Sequence, residues 1–543
     1  MWSVDRLAEV YAYLAVIFRA AILIFQSLIL GGVIFIAYAL RQAPYTSSLK
    51  VAAVRAKSVR LLRLSGFCLA AAQALCLLVN CRVLISGAGL SIADVIGANF
   101  VIAASIAIGS GLLVALVPAD SPRKMGPVLL LSLVILASTV MTNHAAARMD
   151  SRFSLIFLTA FHLAAAGAWI GGLPYLRISI SEVPDEIAYT LAKRFSLIAT
   201  ISVLAIAISG AATASRYVDS TTAVYGTSYG VMLCAKTCLF VALLILGGLN
   251  HEAIRKLSPA NFAPRLKRCV EAEIAIGITV LLAAASLTSQ PPAVDLKADR
   301  VSLSVIYERM RPTWPRLKTP DVKDISGATR HTVEETTGGT ASLSAADVAA
   351  YTNTASDKAW SEYNHNWVGL MLLTMGVLAL LSRTGRLSIA RHWPLGFLAL
   401  ALFIFVRADP ENWPLGPNGF WESFDQIEVV QHRAAAALVV AFAAFEWRVQ
   451  RDKARSSFAP LVFPAVCVIG GALLLTHTHA LANSKDQLLA ELSHTPLAIL
   501  AVLAGSMRWL ELRLPSPDRK IPARLWPVCF MLIGALLVTY KEG

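Results

Sequence analysis

The chain has 543 residues, of which 56% are apolar and 15% charged, with a mean hydropathy of +0.62 and a net charge of +14. A chain of this length would suggest roughly three or four soluble domains, but soluble domains rarely exceed about half apolar. Repeated apolar runs of about 20 residues, each able to cross a hydrocarbon core about 30 Å thick, point to one membrane bundle.

In chain order the runs predict spans at 14–40, 61–85, 92–117, 125–147, 153–174, 195–215, 229–248, 272–289, 366–382, 393–406, 430–446, 459–480, 494–510 and 525–540, the tenth and fourteenth being short. With the N-terminus outside, the alternate inner loops (41–60, 118–124, 175–194, 249–271, 383–392, 447–458 and 508–524) hold 27 Lys and Arg, while the short outer segments hold seven. That asymmetry is the positive-inside signal, and it accounts for the basic balance without nucleic acid as a partner. The outer loop 407–429 leans acidic, with Asp409, Glu411, Glu422, Asp425 and Glu428 against Arg407. The first apolar run is too long, and its acidic front (Asp5, Glu9) too polar, for a cleaved signal peptide, so it is read as a retained span. The expected fold class is all-α: a polytopic integral inner-membrane helix bundle of about fourteen transmembrane helices, N-out and C-out. The lipid bilayer is its first partner.

The eight cysteines are scattered and no CxxC occurs, so neither a disulfide scaffold nor a zinc ribbon is indicated. A polar segment from 290 to 365, opening on Pro291-Pro292 and rich in Thr, Ser, Asp and Lys, separates the first eight spans from the last six. It reads as one periplasmic insert, either loosely folded or a long ordered loop. No Walker loop, aspartyl-phosphate signature, Cys-Pro-Cys span, Cys-x-x-Cys-His, nucleophile elbow or HExxH is present, so neither an ATP-driven pump nor a hydrolase is indicated, and no enzyme is expected.

Residues 144–292 carry the most distinctive pattern. Asn143-His144 is followed by Phe161-His162, then by Trp169-Ile-Gly171-Gly172-Leu-Pro174. After these come Arg194-Phe195-Ser196, Ile208-Ser209-Gly210, Tyr229-Gly230-x5-Lys236 and Ser289-Gln290-Pro291-Pro292. This stretch resembles the four-helix domain of the bacterial copper resistance protein D (CopD) family. A C-terminal block resembles longer members: Trp360-Ser-Glu-Tyr-Asn364-His365, Trp413-Pro-Leu-Gly, Gln431-His432-Arg433 and Thr476-His-Thr-His479. The chain then divides into N-terminal membrane helices (1–143), a CopD-like four-helix domain (144–292), the insert (293–365) and a C-terminal six-helix domain (366–543). The resemblance implies copper handling at the inner membrane, by import or delivery, beside a periplasmic CopC-like copper carrier.

The histidines point the same way on their own. Of ten, only His251 and His392 fall on the inner side of this topology. Imidazole is a common metal ligand and suits copper. For His251, His331 and His392 a simple hydrogen-bonding role is the better reading; for His365 and His494 taken singly both readings stand. One candidate metal cluster gathers His477, His479 and His494, with His432 from a neighbouring span. His477 and His479, two apart, can share a metal only where the chain has left the helix, and His494-Thr495-Pro496 reads as the start of the next helix. A deeper candidate joins Met141 and His144, three apart, with His162 about 15 Å into its span and Met149 just beyond; thioether and imidazole suit Cu+. Ordinary packing of Met141 and Met149 is the alternative.

Lys236, about seven residues into its span, would repel a nearby copper ion; it is expected to snorkel, meet a carboxylate or hold an anionic group. Trp169, Gly171 and Gly172 read as close helix packing. Three functions remain open: copper (Cu+ or Cu2+) captured at the outer histidines and relayed through intramembrane His162 and His144; haem b held by the same histidines, with Lys236 answering a propionate; and a scaffold that binds no metal. If the basic asymmetry sets the topology, a reporter fused after Ala341 will be active only as a periplasmic reporter. Activity of a cytoplasmic reporter there would reverse every side assignment.

Overall fold

Hydrocarbon offers no partner to an unpaired peptide group, so a spanning chain closes its backbone hydrogen bonds within helices or around a barrel. The computed structural model describes residues 4–40, 49–87, 89–117, 125–149, 151–256, 259–321, 355–385, 387–410, 412–425, 427–451, 458–476 and 484–542. Over them it uses helices; β pairing among the described residues is limited to an isolated bridge between Asn412 and Asn418. Each of the fourteen apolar runs has a helix on it. Eleven helices are long and apolar enough to cross a membrane, and Met125–Met141 and Ala459–Leu474 are shorter apolar helices. Large apolar side chains such as Phe153, Phe157, Ile201 and Ile208 stand exposed on these helices, as lipid-facing residues do and soluble surfaces rarely allow. The protein is a multi-pass helical membrane protein.

Two compact units make up the chain: 1–302 with 472–495, and 303–471 with 496–543. The first contains α1 (Val4–Ile34, continued by a π-helical stretch Phe35–Leu40), α2 (Leu49–Gly87), α3 (Ile92–Ile96), α4 (Asn99–Leu116), α5 (Met125–Met141), α6 (His144–Ala147), α7 (Arg152–Trp169), α8 (Leu173–Glu182), α9 (Asp185–Tyr217), α10 (Thr221–Tyr225), α11 (Ser228–Lys256) and α12 (Pro259–Leu287). Helix α1 packs on α2, α5, α7 and α12. The span expected at 125–147 is cut short at Met141. Polar Thr142 and Asn143 end it, and the Asn143 side chain accepts from the His144 amide to open the separate turn α6.

The second unit holds α13 (Leu303–Met310), α14 (Ala355–Thr384), α15 (Gly396–Arg407), α16 (Ile427–Gln450), all but the last three residues of α17 (Val462–Leu474), the later part of α18 (Ser484–Arg513) and α19 (Lys520–Val538). Its core stacks Trp393, Trp526, Phe463, Phe397 and Phe530. The start of the polar insert is ordered rather than loose: α13 forms, and the Arg316 amide donates to Asn366 Oδ1 at 2.7 Å. Residues 322–354 lie outside the described residues. One expectation needs correction. Helix α18 does not start at His494-Thr495-Pro496 but ten residues earlier, at Ser484, and Pro496 lies inside it. Proline deprives the Leu492 carbonyl of its usual donor without ending the helix, because neighbouring helices compensate in a membrane bundle.

The tightest crossing in the first unit is between α1 and the junction of α7 with α8. The helix breaks at 170–172, and there Gly31 of α1 faces the backbone of Gly171 and Gly172. A methyl group on Gly171 would collide with the Ser27 carbonyl, and one on Gly172 with the Phe195 ring. Trp169 is buried beside this contact, edge-on to Phe240 at 6.2 Å. Gly171→Ala is therefore expected to destabilise by about 1–3 kcal/mol. Gly109→Ala, where a methyl group meets open space, should be neutral or stabilising. Thermal unfolding of both variants in detergent checks this; equal shifts would remove the packing role of Gly171.

Candidate functional site

Three helices of the first unit bring together three elements far apart in sequence. Helix α7 carries His162, α9 carries Ser209-Gly210 and α11 carries Lys236. His162 Nδ1 lies 3.0 Å from Ser209 Oγ, and Lys236 Nζ lies 3.4 Å from His162 Nε2. The Ser209 hydroxyl proton is directed to the Ala205 carbonyl, so Ser209 Oγ is left to accept. That assigns the proton of the neutral ring to Nδ1 and the lone pair to Nε2, the atom facing Lys236. Gly210 makes room for the ring: a methyl group there would stand 3.3 Å from His162 Cε1.

This constellation is what a histidine ligand in a bundle requires: one nitrogen held by a neighbour, fixing tautomer and orientation, and the other presented. The presented nitrogen meets a cation rather than a carboxylate. Lys236 can therefore donate a hydrogen bond to Nε2, and a metal ion on Nε2 would stand where the amine now points. Two unit charges 4 Å apart repel by about 1 kcal/mol in water and about 4 kcal/mol near a protein surface, so such an ion requires the Lys236 amine to swing aside.

His144 sits apart from this group on α6. Its Nε2–H donates to the Thr288 carbonyl at 3.0 Å, an oxygen that Arg19 Nη1 also reaches at 2.5 Å. The following Ser289-Gln290-Pro291-Pro292 segment is anchored by Gln290, whose Nε2 donates to Glu491 Oε1 at 2.6 Å. Beside it lies a cavity of about 30 Å³ lined by Tyr229, Gln290 and Pro291, room for a water or two. Met141 is half exposed and Met149 almost wholly so. Among the described residues no group of three or more His, Cys, Asp or Glu is arranged to hold a metal ion.

Of the outer candidates, His432 pairs through Nδ1 with Asp409 Oδ1 at 2.7 Å, and His494 Nδ1 donates to the Ala490 carbonyl one turn back on α18. His477 and His479 lie outside the described residues, as does His331. Of the remaining histidines, His365 donates to the Ser361 carbonyl and stacks on Tyr540. His392 accepts from Trp447 Nε1, and His251 contacts Ser196 Oγ.

Sequence reading assigned no role to Ser209 or Gly210, although it singled out their motif; their spacing from His162 is tertiary. It also passed over an intramembrane carboxylate. Glu273 on α12 is buried and accepts from Asn250 of α11. The signal was a charge within an apolar span.

Residues 189–287 match the family described as copper resistance protein D. Over 161 residues the chain is 33% identical to the protein named copper transport protein CutJ of Bacillus subtilis (strain 168), an alignment covering 29% of each chain. The chain thus spans under a third of the length of that relative. No solved structure matches. The family match includes α11, α12 and nearly all of α9, and so takes in Ser209, Gly210, Lys236 and Glu273; His144 and His162 precede it.

The environment of His144 has a pH signature. Burial first, and then the Arg19 charge, lower its pKa below the ordinary value near 6.5, against the opposing Thr288 bond. A depressed folded-state pKa contributes stability that is present above the unfolded value and lost as pH falls through the folded one. Wild type should therefore exceed His144→Asn in melting temperature at pH 7.5, with the gap narrowing as pH falls below 6.5. A gap that widens on acidification would show a histidine held protonated instead.

Proposed function

We propose, from the copper resistance protein D segment at 189–287, that this protein transports or delivers copper at its membrane, with His162 as the intramembrane relay. One observation supports this reading above the others: His162 is oriented by Ser209, fitted against Gly210 and presents its Nε2 lone pair to Lys236, and all three of these partner positions lie within the matched segment. An imidazole so held binds a soft or borderline cation such as Cu+ or Cu2+ well. Lys236 then acts as a gate. It occupies Nε2 when no ion is present and withdraws when one arrives, since amine and ion compete for the same lone pair.

In this proposal the cargo enters from the periplasmic side, delivered by a CopC-like carrier to the outer histidines His432, His477, His479 and His494. It passes His144 and Met141 on its way to His162. The inner bacterial membrane, with both termini and the insert outside, is the setting that the basic asymmetry supports. The name of the relative, a copper transport protein, agrees with transport rather than enzymatic chemistry.

His162→Ala and His162→Phe should each abolish copper accumulation while the protein stays inserted and abundant, because Phe roughly keeps the ring shape and loses the nitrogen. Metal and haem analysis of purified wild type and His162→Ala belongs beside it: copper is expected, and a Soret band that bleaches in the variant would replace the relay with haem ligation. Normal copper accumulation in a well-expressed His162→Ala strain would end the relay reading.

A further inference from the structure

The second unit contains a cavity of about 880 Å³ that the copper route does not use. It opens where α14, α16 and α18 end and α19 begins. Its charged walls are Arg383, Arg508, Arg519, Lys520 and Arg524, against one carboxylate, Glu511. That carboxylate is already committed: Arg383 Nη1 reaches Glu511 Oε1 at 3.0 Å, Arg508 Nη1 reaches Oε2 at 2.6 Å, and Trp526 Nε1 donates to Oε2 at 2.7 Å. Glu446 holds the other arm of Arg508 at 3.1 Å. Two arginines and two glutamates thus cancel, and three cations remain. Among the described residues Arg519, Lys520 and Arg524 have no carboxylate partner.

Two further features add positive potential beside the space. Arg383 lines it, and its Nε and Nη2 are buried N–H groups without a hydrogen-bond partner, so the charge of this guanidinium is only partly answered by Glu511. Helix α19 starts at this wall with no side-chain cap, so the positive end of its dipole adds to the field. The cavity volume is within the range of about 300–1,000 Å³ typical of small-molecule sites. Planar guanidinium groups match the oxygens of a phosphate. Apolar Val449 and Leu512 on the same wall suit a ligand with an apolar side.

We infer that this cavity binds a phosphate-bearing anion, whose two sources are the headgroup of an acidic phospholipid and free phosphate. Basic pockets between helix ends at the membrane surface hold acidic headgroups by the same charge pairing. The site is independent of copper binding, and its test can fail without touching the relay.

The test is native mass spectrometry of the full chain in detergent, titrated in parallel with phosphatidylglycerol and phosphatidylcholine, and calorimetry with inorganic phosphate. Phosphatidylglycerol should be retained at roughly tenfold lower concentration than phosphatidylcholine if lipid is the source; a calorimetric signal with phosphate and no lipid preference would identify the soluble anion. In either case R519Q/K520Q/R524Q should lose the binding, while R519K/R524K, which keeps the charge, should retain most of it. All of these positions are exposed, and an unchanged elution profile would verify the fold of both variants. Binding that persists undiminished in the glutamine variant, or the absence of both lipid preference and phosphate binding in wild type, would overturn the proposal.

Discussion

Between helices in lipid there is no hydrophobic effect to press one surface on another, so close van der Waals approach must do the work that water expulsion does in a soluble core. The first unit meets this constraint with glycine. Gly31 on α1 and Gly171-Gly172 at the α7–α8 break leave no space for a methyl group on either side, and the broken helix lets the chain turn from α7 into α8 against α1. Everything α7 carries is positioned from that contact, including the ring of His162 nine residues before Gly171.

Polar groups placed in such a bundle need partners, because hydrocarbon supplies none. The first unit provides them pairwise: His162 with Ser209 and Lys236, Asn250 with Glu273, and Arg177 and Arg268 with Glu271. In most of these pairs a donor meets a carboxylate or a hydroxyl and both are satisfied. The His162–Lys236 pair differs, since its base and its cation share one hydrogen bond and the third member of the group is the Ser209 hydroxyl rather than a carboxylate. A neutral, electron-rich nitrogen beside a displaceable amine is an unusual arrangement for mere packing, and its Lys236 and Ser209 partners lie within the family match although His162 precedes it.

The sequence was most legible where physics is one-dimensional. Apolar runs pointed to the helices, because length against bilayer thickness needs no tertiary knowledge, and the motifs between 144 and 292 resembled the copper resistance protein D family, whose model matches residues 189–287. Helix ends were less legible. Pro496 looked like a first-turn residue, yet the helix runs through it from Ser484, since the bundle tolerates a missing N–H that a soluble helix end would exploit. Least legible were partners. The spacing of Met141 and His144 suggested a shared ligand face, but a helix end intervenes at Met141 and turns His144 to the Thr288 carbonyl. Lys236 was expected to snorkel, meet a carboxylate or hold an anionic group, and its hydrogen-bond partner among the described residues is the His162 imidazole. Such pairings depend on how α7, α9 and α11 rotate against one another, which local pattern does not encode.

The Nδ1 proton of His162 has a kinetic consequence. With that nitrogen committed to Ser209, the ring has one coordinate bond to give, whereas a stably held metal ion typically takes four ligands in a structural site. Under the proposed relay, a cation stopping there would find, among the described residues, no group of three or more His, Cys, Asp or Glu to complete its shell, so its dwell time would be short and its escape barrier low. Conduction needs stations of that kind, attractive enough to enter and weak enough to leave. A single imidazole deep in a helix bundle is thus suited to passing an ion onward rather than storing it.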